Sequence, residues 1–144
     1  MTDTVLAQAI DQIGQARAAG RVPVIRTFFD EPTFTATHVV HDPVTRRAAI
    51  IDSVLDFDQA SGRTSTASAE AVVAYVEAEG LKVDWILETH AHADHLTGAM
   101  VLRRRLGCPI ITGRAITNVQ ATWARMLNLG PSFRSDGSQF DRLM

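Results

Sequence analysis

Three histidines and one aspartate stand within six consecutive residues of the chain: His90, His92, Asp94 and His95. Neutral imidazoles and short carboxylates are the usual protein ligands of zinc and of non-haem iron. A strand-like run, residues 83–88, leads into this segment, and a helical pattern leads out of it from residue 96. The spacing and this context predict a metal-dependent active site at a strand-to-helix corner. The alternative is a histidine-rich surface loop that binds adventitious metal, which would need no such flanking elements.

The pattern His-x-His-x-Asp-His that these four residues form resembles the signature of the metallo-β-lactamase superfamily. Within that superfamily, the flanking residues 51–56 and 88–98 are similar to those of the persulfide dioxygenases and the β-lactamase hydrolase-like proteins. The glyoxalase II enzymes are similar to a lesser degree. The resemblance extends from about residue 24 to the end of the chain.

The resemblance implies an α/β (α+β) fold, namely half of a metallo-β-lactamase αββα sandwich with a mixed β-sheet covered by helices. Residues 1–20 are expected to form an N-terminal amphipathic helix, and residues 21–144 the N-terminal part of the domain. The family's later ligands have no counterpart, since no histidine follows His95. We therefore expect the C-terminal half to be absent, in a fragment or in a truncated product that binds metal weakly. The polar ending, residues 137–144, favours an interruption within the domain.

The resemblance also implies the roles of individual residues. His90, His92, Asp94 and His95 would hold the metal, and Asp94 is the candidate catalytic residue. Asp52, which follows a predicted strand, would lie behind the ligands and orient one of them, because a metal-bound imidazole generally donates its other N–H to such a group. Thr89 could play a similar supporting part. The alternative for Asp52 is an ordinary turn aspartate that accepts backbone N–H bonds.

Two enzymatic activities and one non-catalytic role follow from these relationships. The first expectation is a persulfide dioxygenase that uses one Fe(II) to oxidise glutathione persulfide, a small thiol substrate, to sulfite. The second is a glyoxalase II-like thioester hydrolase with one or two Zn(II), in which the metal lowers the pKa of water. The third is a non-catalytic half-domain that associates with a second copy or a partner. A sheet face left uncovered would mediate self-association, so we expect a homo-oligomer.

Composition sets bounds on partners and location. A net charge of −2 at pH 7 provides no basic surface for nucleic acid, and no run of 18 apolar residues is present to span a membrane. The N-terminus is too polar for a signal peptide. The single cysteine, Cys108, excludes an intramolecular disulfide and is expected to be an inert small residue. We therefore expect a cytoplasmic protein without nucleic-acid or membrane partners.

Periodicity predicts the elements that position the site. An amphipathic helix over residues 4–19 carries Leu6, Ala9, Ile10 and Ile13 on one face and is expected to pack on the domain. The remaining predictions are three meander strands (22–29, 33–40, 47–52), a loop (56–64), a helix that begins at Ser65 or Thr66 and ends at Glu79, a strand (81–88), a helix (96–106), a strand (109–112) and a final helix whose buried stripe is Ile116, Val119, Trp123, Met126 and Leu127.

Two other groups of polar residues are left out of the predicted site. His38 and His41 are three apart in an extended segment, so their side chains fall on opposite faces and cannot converge on one metal. The run Arg103-Arg104-Arg105 is expected to form a solvated helix face, because consecutive residues point in different directions around a helix.

Overall fold

The computed structural model describes the backbone of residues 2–144 and the side chains in that range except those of residues 2, 3, 5, 6 and 9. The elements, in chain order, are α1 (Thr2–Ala18), β1 (Val24–Asp30), β2 (Thr35–His41), β3 (Arg47–Ile51), β4 (Val54–Asp58), β5 (Arg63–Ser65), α2 (Ala67–Ala78), β6 (Lys82–Glu88), β7 (Leu96–Thr97), α3 (Ala99–Leu106), β8 (Ile110–Thr112), α4 (Ile116–Met126) and β9 (Arg142–Leu143).

The main sheet has six strands in the order β1-β2-β3-β6-β8-β9. Its first three strands form the predicted antiparallel meander, and β3, β6, β8 and β9 run parallel to one another. Helix α2 lies between the parallel neighbours β3 and β6 in the chain, as the strand–helix–strand prediction required. The structure therefore confirms an α/β fold with a mixed sheet. A second, three-stranded sheet has the order β5-β4-β7.

One face of the main sheet packs against helices α2 and α3. The strand residues Val39, Ile50 and Ile86 are completely buried there, against the predicted α2 stripe of Ala69, Val72, Val73 and Val76. Burying a side chain of this size stabilises the fold by about 1.5–3 kcal/mol. Because Ile50 and Ile86 lie near the carboxyl ends of β3 and β6, this core fixes the two strand ends that lead into the candidate site.

Cys108 belongs to the same core, where it is 4% exposed, and burial raises the pKa of its thiol. The arginine run is partly solvated, as predicted, but it also makes ion pairs. Arg103 donates to Asp141 at 2.9 Å, and Arg105 pairs with Glu70. These two contacts join α3 to the C-terminal segment and to α2.

Several short elements differ from the sequence predictions. The predicted loop 56–64 contains strands β4 and β5, and the predicted start of a helix at Leu96 is strand β7, which pairs with Val54 and Leu55. The polar C-terminal tail contains β9, which adds to β8. These strands are two to five residues long, so backbone pairing with a distant partner defines them and periodicity does not.

Two helices also depart from what their periodicity predicted. Of the stripe proposed for α4, only Ile116 is buried, whereas Trp123, Met126 and Leu127 are exposed. That part of the prediction is wrong, because no described element covers this face. In α1 the apolar Ile10 is exposed and so is Ile13, while Leu6 and Ala9 lie outside the described side chains.

The start of α2 is capped from outside the helix. The hydroxyls of Ser65 and Thr66, which the sequence favoured as caps, make no capping bond. Asp56 of β4 accepts the backbone N–H of Ser68 at 3.0 Å and its hydroxyl at 2.6 Å. The cap thereby ties α2 to the second sheet. In the described part of the chain, the helices lack the combination of length and apolar character that a membrane crossing requires.

Candidate metal centre

The candidate site lies at the carboxyl ends of two neighbouring parallel strands. Asp52 follows β3 directly, and its backbone N–H donates to the carbonyl of Leu87 in β6 at 3.0 Å. The segment Thr89 to His95 follows β6. Asp52 has a φ of +51°, a left-handed backbone conformation that residues other than glycine, asparagine and aspartate rarely adopt. The backbone therefore turns sharply at Asp52 and places its carboxylate beneath the histidine segment.

The three imidazoles of the motif form one cluster. The ring centroids of His90 and His92 are 4.3 Å apart, and those of His92 and His95 are also 4.3 Å apart. Possible ligand atoms form two groups, and within each group all the atoms lie within 4.8 Å of one another. The first group is Asp52, His90 and His92, and the second is His92, Asp94 and His95. The structure thus brings all four predicted ligands together around His92, and it places the predicted orienting residue Asp52 beside them.

A chain of hydrogen bonds fixes the proton on His90. Asp52 accepts the backbone N–H of Thr89 at 2.8 Å and the Thr89 hydroxyl at 2.7 Å. The hydroxyl proton is used in that bond, so the Thr89 oxygen can only accept from Nδ1 of His90, 2.8 Å away. The Nε2 atom of His90 is therefore unprotonated and free to bind a metal.

His92 has the opposite tautomer. Its Nε2 lies 3.0 Å from a carboxylate oxygen of Asp52 and 3.2 Å from Glu88, so this nitrogen carries the proton. Its Nδ1 keeps the lone pair. Burial lowers the pKa of His92, and the nearby Asp52 carboxylate only partly offsets that effect. The ring is therefore held neutral, which is the form that binds a metal.

His95 provides the clearest sign that the cluster fits a metal. Its Nδ1 lies 3.2 Å from the Thr35 hydroxyl oxygen, which itself donates to Asp94, so Nδ1 donates to Thr35. Its Nε2 is buried, and no described residue offers it a hydrogen bond. A buried polar atom without a partner costs about 1–3 kcal/mol. A metal ion bound by Nε2 would satisfy it, and the mixed nitrogen and oxygen donors suit zinc or iron.

Asp94 occupies the open side of the cluster, where its side chain is 55% exposed. Hydrogen bonds from its own backbone N–H, from His95 and from Thr35 lower the pKa of its carboxyl. Its Oδ2 is used in the contacts with Thr35 and His95, whereas Oδ1 lies 4.0 Å from Nδ1 of His92. An ionised oxygen therefore points toward the same region as the free lone pair of His92.

Glu88 is a site residue that sequence reasoning missed. It is buried at the end of β6, where one oxygen accepts the Thr97 hydroxyl at 2.7 Å and the other faces Nε2 of His92. Burial raises the pKa of Glu88 to about 7, the Thr97 bond opposes the rise, and the charge of Asp52 adds to it. The sequence feature that could have identified Glu88 is a charged residue at an inward-facing position of a strand predicted to be buried.

Thr35 was also missed, because its role depends on where β2 lies in the sheet. The two histidines excluded from the site are confirmed to lie elsewhere. His38 faces Thr27 at 2.9 Å, and the buried His41 lies on the other face of β2, 3.3 Å from the Tyr75 hydroxyl.

Two cavities adjoin the cluster, and His92 and His95 line both. A cavity of about 470 Å³ has mixed polar and apolar walls that include Leu55, Phe57 and Asp94. A cavity of about 250 Å³ is mostly apolar. The first has the size of an ordinary small-molecule site.

The chain resembles several known proteins. It is 49% identical over 120 residues to a probable metallo-hydrolase of Burkholderia pseudomallei, with 83% of this chain and 41% of the relative covered. It is 41% identical to Glyoxylase B2 of Dictyostelium discoideum (83% and 41% covered). It is 32% identical to the mitochondrial persulfide dioxygenase ETHE1 of Bos taurus (85% and 44% covered). The crystal structure of ETHE1 from Myxococcus xanthus superposes with a TM-score of 0.51 at 28% identity, over 61% of this chain and 34% of that one.

The chain thus spans less than half the length of each of these proteins. A family model described as the metallo-beta-lactamase superfamily matches residues 30–137, which include the whole histidine cluster, Asp52 and Glu88. The chain belongs to the metallo-β-lactamase superfamily.

Proposed function

We propose that the chain carries the metal-binding segment of a metal-dependent enzyme, with His90, His92, Asp94 and His95 as ligands. The observation behind this proposal is the state of the three imidazoles. Each has one nitrogen engaged by a protein group and the other left with a free lone pair. In this proposal, Asp52 and Thr89 orient His90 and His92.

The reaction that we favour is the oxidation of glutathione persulfide to sulfite, with one Fe(II) as cofactor. One persulfide, one dioxygen and one water give one thiol and one sulfite, so the outer sulfur is oxidised while dioxygen is reduced. A bound iron would supply the redox chemistry. The similarity to a persulfide dioxygenase over 85% of this chain supports the choice.

The residues around the cluster suit a small thiol-derived substrate. The cavity of about 470 Å³ offers the apolar Leu55, Phe57 and Leu96 to the carbon skeleton and the ionised Asp94 to the reacting end. We assign Asp94 as the catalytic residue, because its Oδ1 is accessible and its lowered pKa keeps the carboxylate ionised where substrate and metal would meet.

Zinc-dependent thioester hydrolysis of the glyoxalase II type is a second candidate. The observation that favours it is the presence of two neighbouring donor pairs, His90 with His92 and Asp94 with His95, one for each Zn(II) ion. The similarity to Glyoxylase B2 points the same way. Both candidates act on small thiol-derived substrates, and metal identity separates them.

Metal loading followed by two parallel assays tests the proposal. The metal-free protein is loaded anaerobically with Fe(II) or aerobically with Zn(II), and bound metal is counted by elemental analysis. An oxygen electrode with glutathione persulfide reports the first reaction, and thioester absorbance reports the second. His92→Ala should abolish either activity, and His38→Ala, outside the cluster, should leave it unchanged. Two tightly held zincs with thioester turnover would exclude the dioxygenase, and failure to bind either metal would exclude both candidates.

A further inference from the structure

Strand β1 is a long, unpaired edge of the main sheet. Its seven residues pair with β2 without interruption, and no described strand lies on its other side. The opposite edge of the sheet, β9, has only two residues. An edge strand presents a row of free N–H and C=O groups that another strand can pair with. Residues 24–30 contain no proline and no bulge that would block such pairing.

The edge is also apolar on the face away from α2. Ile25 is 60% exposed and Phe29 is 60% exposed, and the 81% exposed Phe34 packs edge-on against Phe29 at 6.3 Å. These three side chains expose apolar surface along the free edge, with Thr27 between Ile25 and the Phe29–Phe34 pair. Patches of this kind usually mark an association surface.

The sequence of β1 is complementary to itself when two copies run antiparallel about a two-fold axis at Thr27. This register pairs all seven residues. Ile25 of each copy then faces Phe29 of the other on the apolar face. Cross-strand pairs of aromatic and β-branched residues stabilise antiparallel sheets.

Charges on the other face agree with the same register. Arg26 would lie opposite Phe28, and it already packs over the Phe28 ring at 5.4 Å. Asp30 would lie opposite Val24, so no two like charges are directly opposed. Moving the axis by one residue toward the N-terminus places Arg26 opposite its own copy, where the like charges repel each other. Moving it the other way, to Phe28, would place Arg26 opposite Asp30, but it would leave Val24 and Ile25 without partners in the strand and would separate Ile25 from Phe29.

We propose that two copies of this chain associate through their β1 edges, in antiparallel register about Thr27, to form one continuous twelve-stranded sheet. The partner is a second copy, because the register about Thr27 pairs Ile25 with Phe29 twice and opposes no like charges. A two-fold interface of this type uses the same patch on both copies and leaves no edge free for further growth on that side. The interface is independent of the proposed activity, since no residue of the metal cluster takes part.

Cysteine cross-linking tests the register. Directly opposed residues in an antiparallel pair have Cα atoms about 4.5–5.5 Å apart, within the range of a disulfide. Thr27→Cys should therefore form a disulfide dimer on mild oxidation, and buried Cys108 should not compete. Ile25→Cys and Phe29→Cys should each form no disulfide alone and should cross-link when mixed. Cross-linking of Phe28→Cys with itself, in place of Thr27→Cys, would overturn the register.

A charge exchange tests the interface itself. Light scattering after size exclusion should give twice the 15.7 kDa chain mass at micromolar concentration. The double variant Ile25→Lys, Phe29→Lys should weaken the dimer at least tenfold, and so should Ile25→Glu, Phe29→Glu. An equimolar mixture of the two should restore it, because each lysine then faces a glutamate. Val44→Lys, a change at an equally exposed turn position, is the matched control and should remain dimeric.

Folding of each variant is checked by circular dichroism, and recovery in the mixture shows that the variants are folded. A monomer at all concentrations would overturn the proposal. A mixture of the lysine and glutamate variants that stays monomeric in light scattering would overturn it as well.

Discussion

The carboxylate of Asp52 should control metal affinity without binding the metal itself. It accepts three hydrogen bonds, at 2.7 and 2.8 Å from Thr89 and at 3.0 Å from His92, and its side chain is only 17% exposed. In Asp52→Asn the amide tolerates the same left-handed backbone, and its oxygen must stay at the Oδ1 position, because the Thr89 N–H that faces Oδ1 can only donate. The NH₂ group then replaces Oδ2 and donates to the Thr89 hydroxyl oxygen. The Thr89 hydroxyl proton turns toward Nδ1 of His90, and the ring proton of His90 moves to Nε2, the atom needed for the metal.

The expected loss is large enough to measure. Replacing groups that orient metal ligands typically costs 10–100-fold in metal affinity, which corresponds to about 1.4–2.7 kcal/mol. In the metal-free chain, hydrogen bonds to a charged group are worth about 1.5–3 kcal/mol each. One of the three is reversed, the other two lose their charged acceptor, and the site is partly solvated, so we expect Asp52→Asn to lower the free energy of unfolding by about 1–3 kcal/mol.

Zinc titration against a competing chelator at fixed pH measures the affinity, and urea denaturation measures stability. Asp52→Gly removes the carboxylate and relieves the backbone strain at φ +51°. It should also lower zinc affinity, which would show that the carboxylate, and not the backbone conformation, is responsible. Asp42→Asn is the control, because Asp42 also accepts two backbone N–H bonds, at 2.7 and 2.9 Å, far from the cluster. Unchanged zinc affinity in Asp52→Asn would refute the tautomer argument.

Three further outcomes are expected. His92→Ala should reduce zinc affinity more than about 100-fold, which exceeds the effect of losing an orienting group. His38→Ala should not change zinc affinity, and equal losses for the two variants in chelator competition would contradict the assignment of His92 as a ligand. Gly98→Ala should destabilise the chain by about 1–3 kcal/mol in urea, because the added Cβ would lie 2.5 Å from a backbone oxygen of β4, while Gly113→Ala, which meets open space, should not. Backbone N–H bonds and Arg21 hold the pKa of Asp42 at about 2, below its ordinary 3.8, so its contribution to stability is present above pH 3.8 and is lost as the pH falls through 2. The stability difference between the parent chain and Asp42→Asn should therefore vanish in acid, and a difference that persists below pH 2 would refute this assignment.

The site residues that could be predicted from the sequence are those that lie close together in it. His90, His92, Asp94 and His95 converge because six residues after a strand end cannot lie far apart. The meander and the α2 crossover were predictable for a similar reason, since their apolar periodicity records the buried face of each element.

The rest depends on contacts that are distant in sequence. Thr35 reaches His95 only because β1 and β2 turn back beside the cluster. Glu88 acquires its raised pKa from burial at the end of β6, which depends on the elements packed around it. Strands β4, β7 and β9 consist of too few residues to show a period of two. The exposed face of α4 carries the same apolar stripe that a buried helix would, so its sequence pattern predicted burial that the described structure does not provide.

The buried position of Cys108 has a bearing on the sulfur chemistry that we propose. Persulfides and their oxidised products exchange with accessible thiolates through mixed disulfides. The single thiol of this chain is 4% exposed, and burial raises its pKa, so little thiolate forms and reagents cannot reach it. A protein that handled reactive sulfur would thereby avoid modifying itself, and its folded state would be the only protection that its cysteine requires.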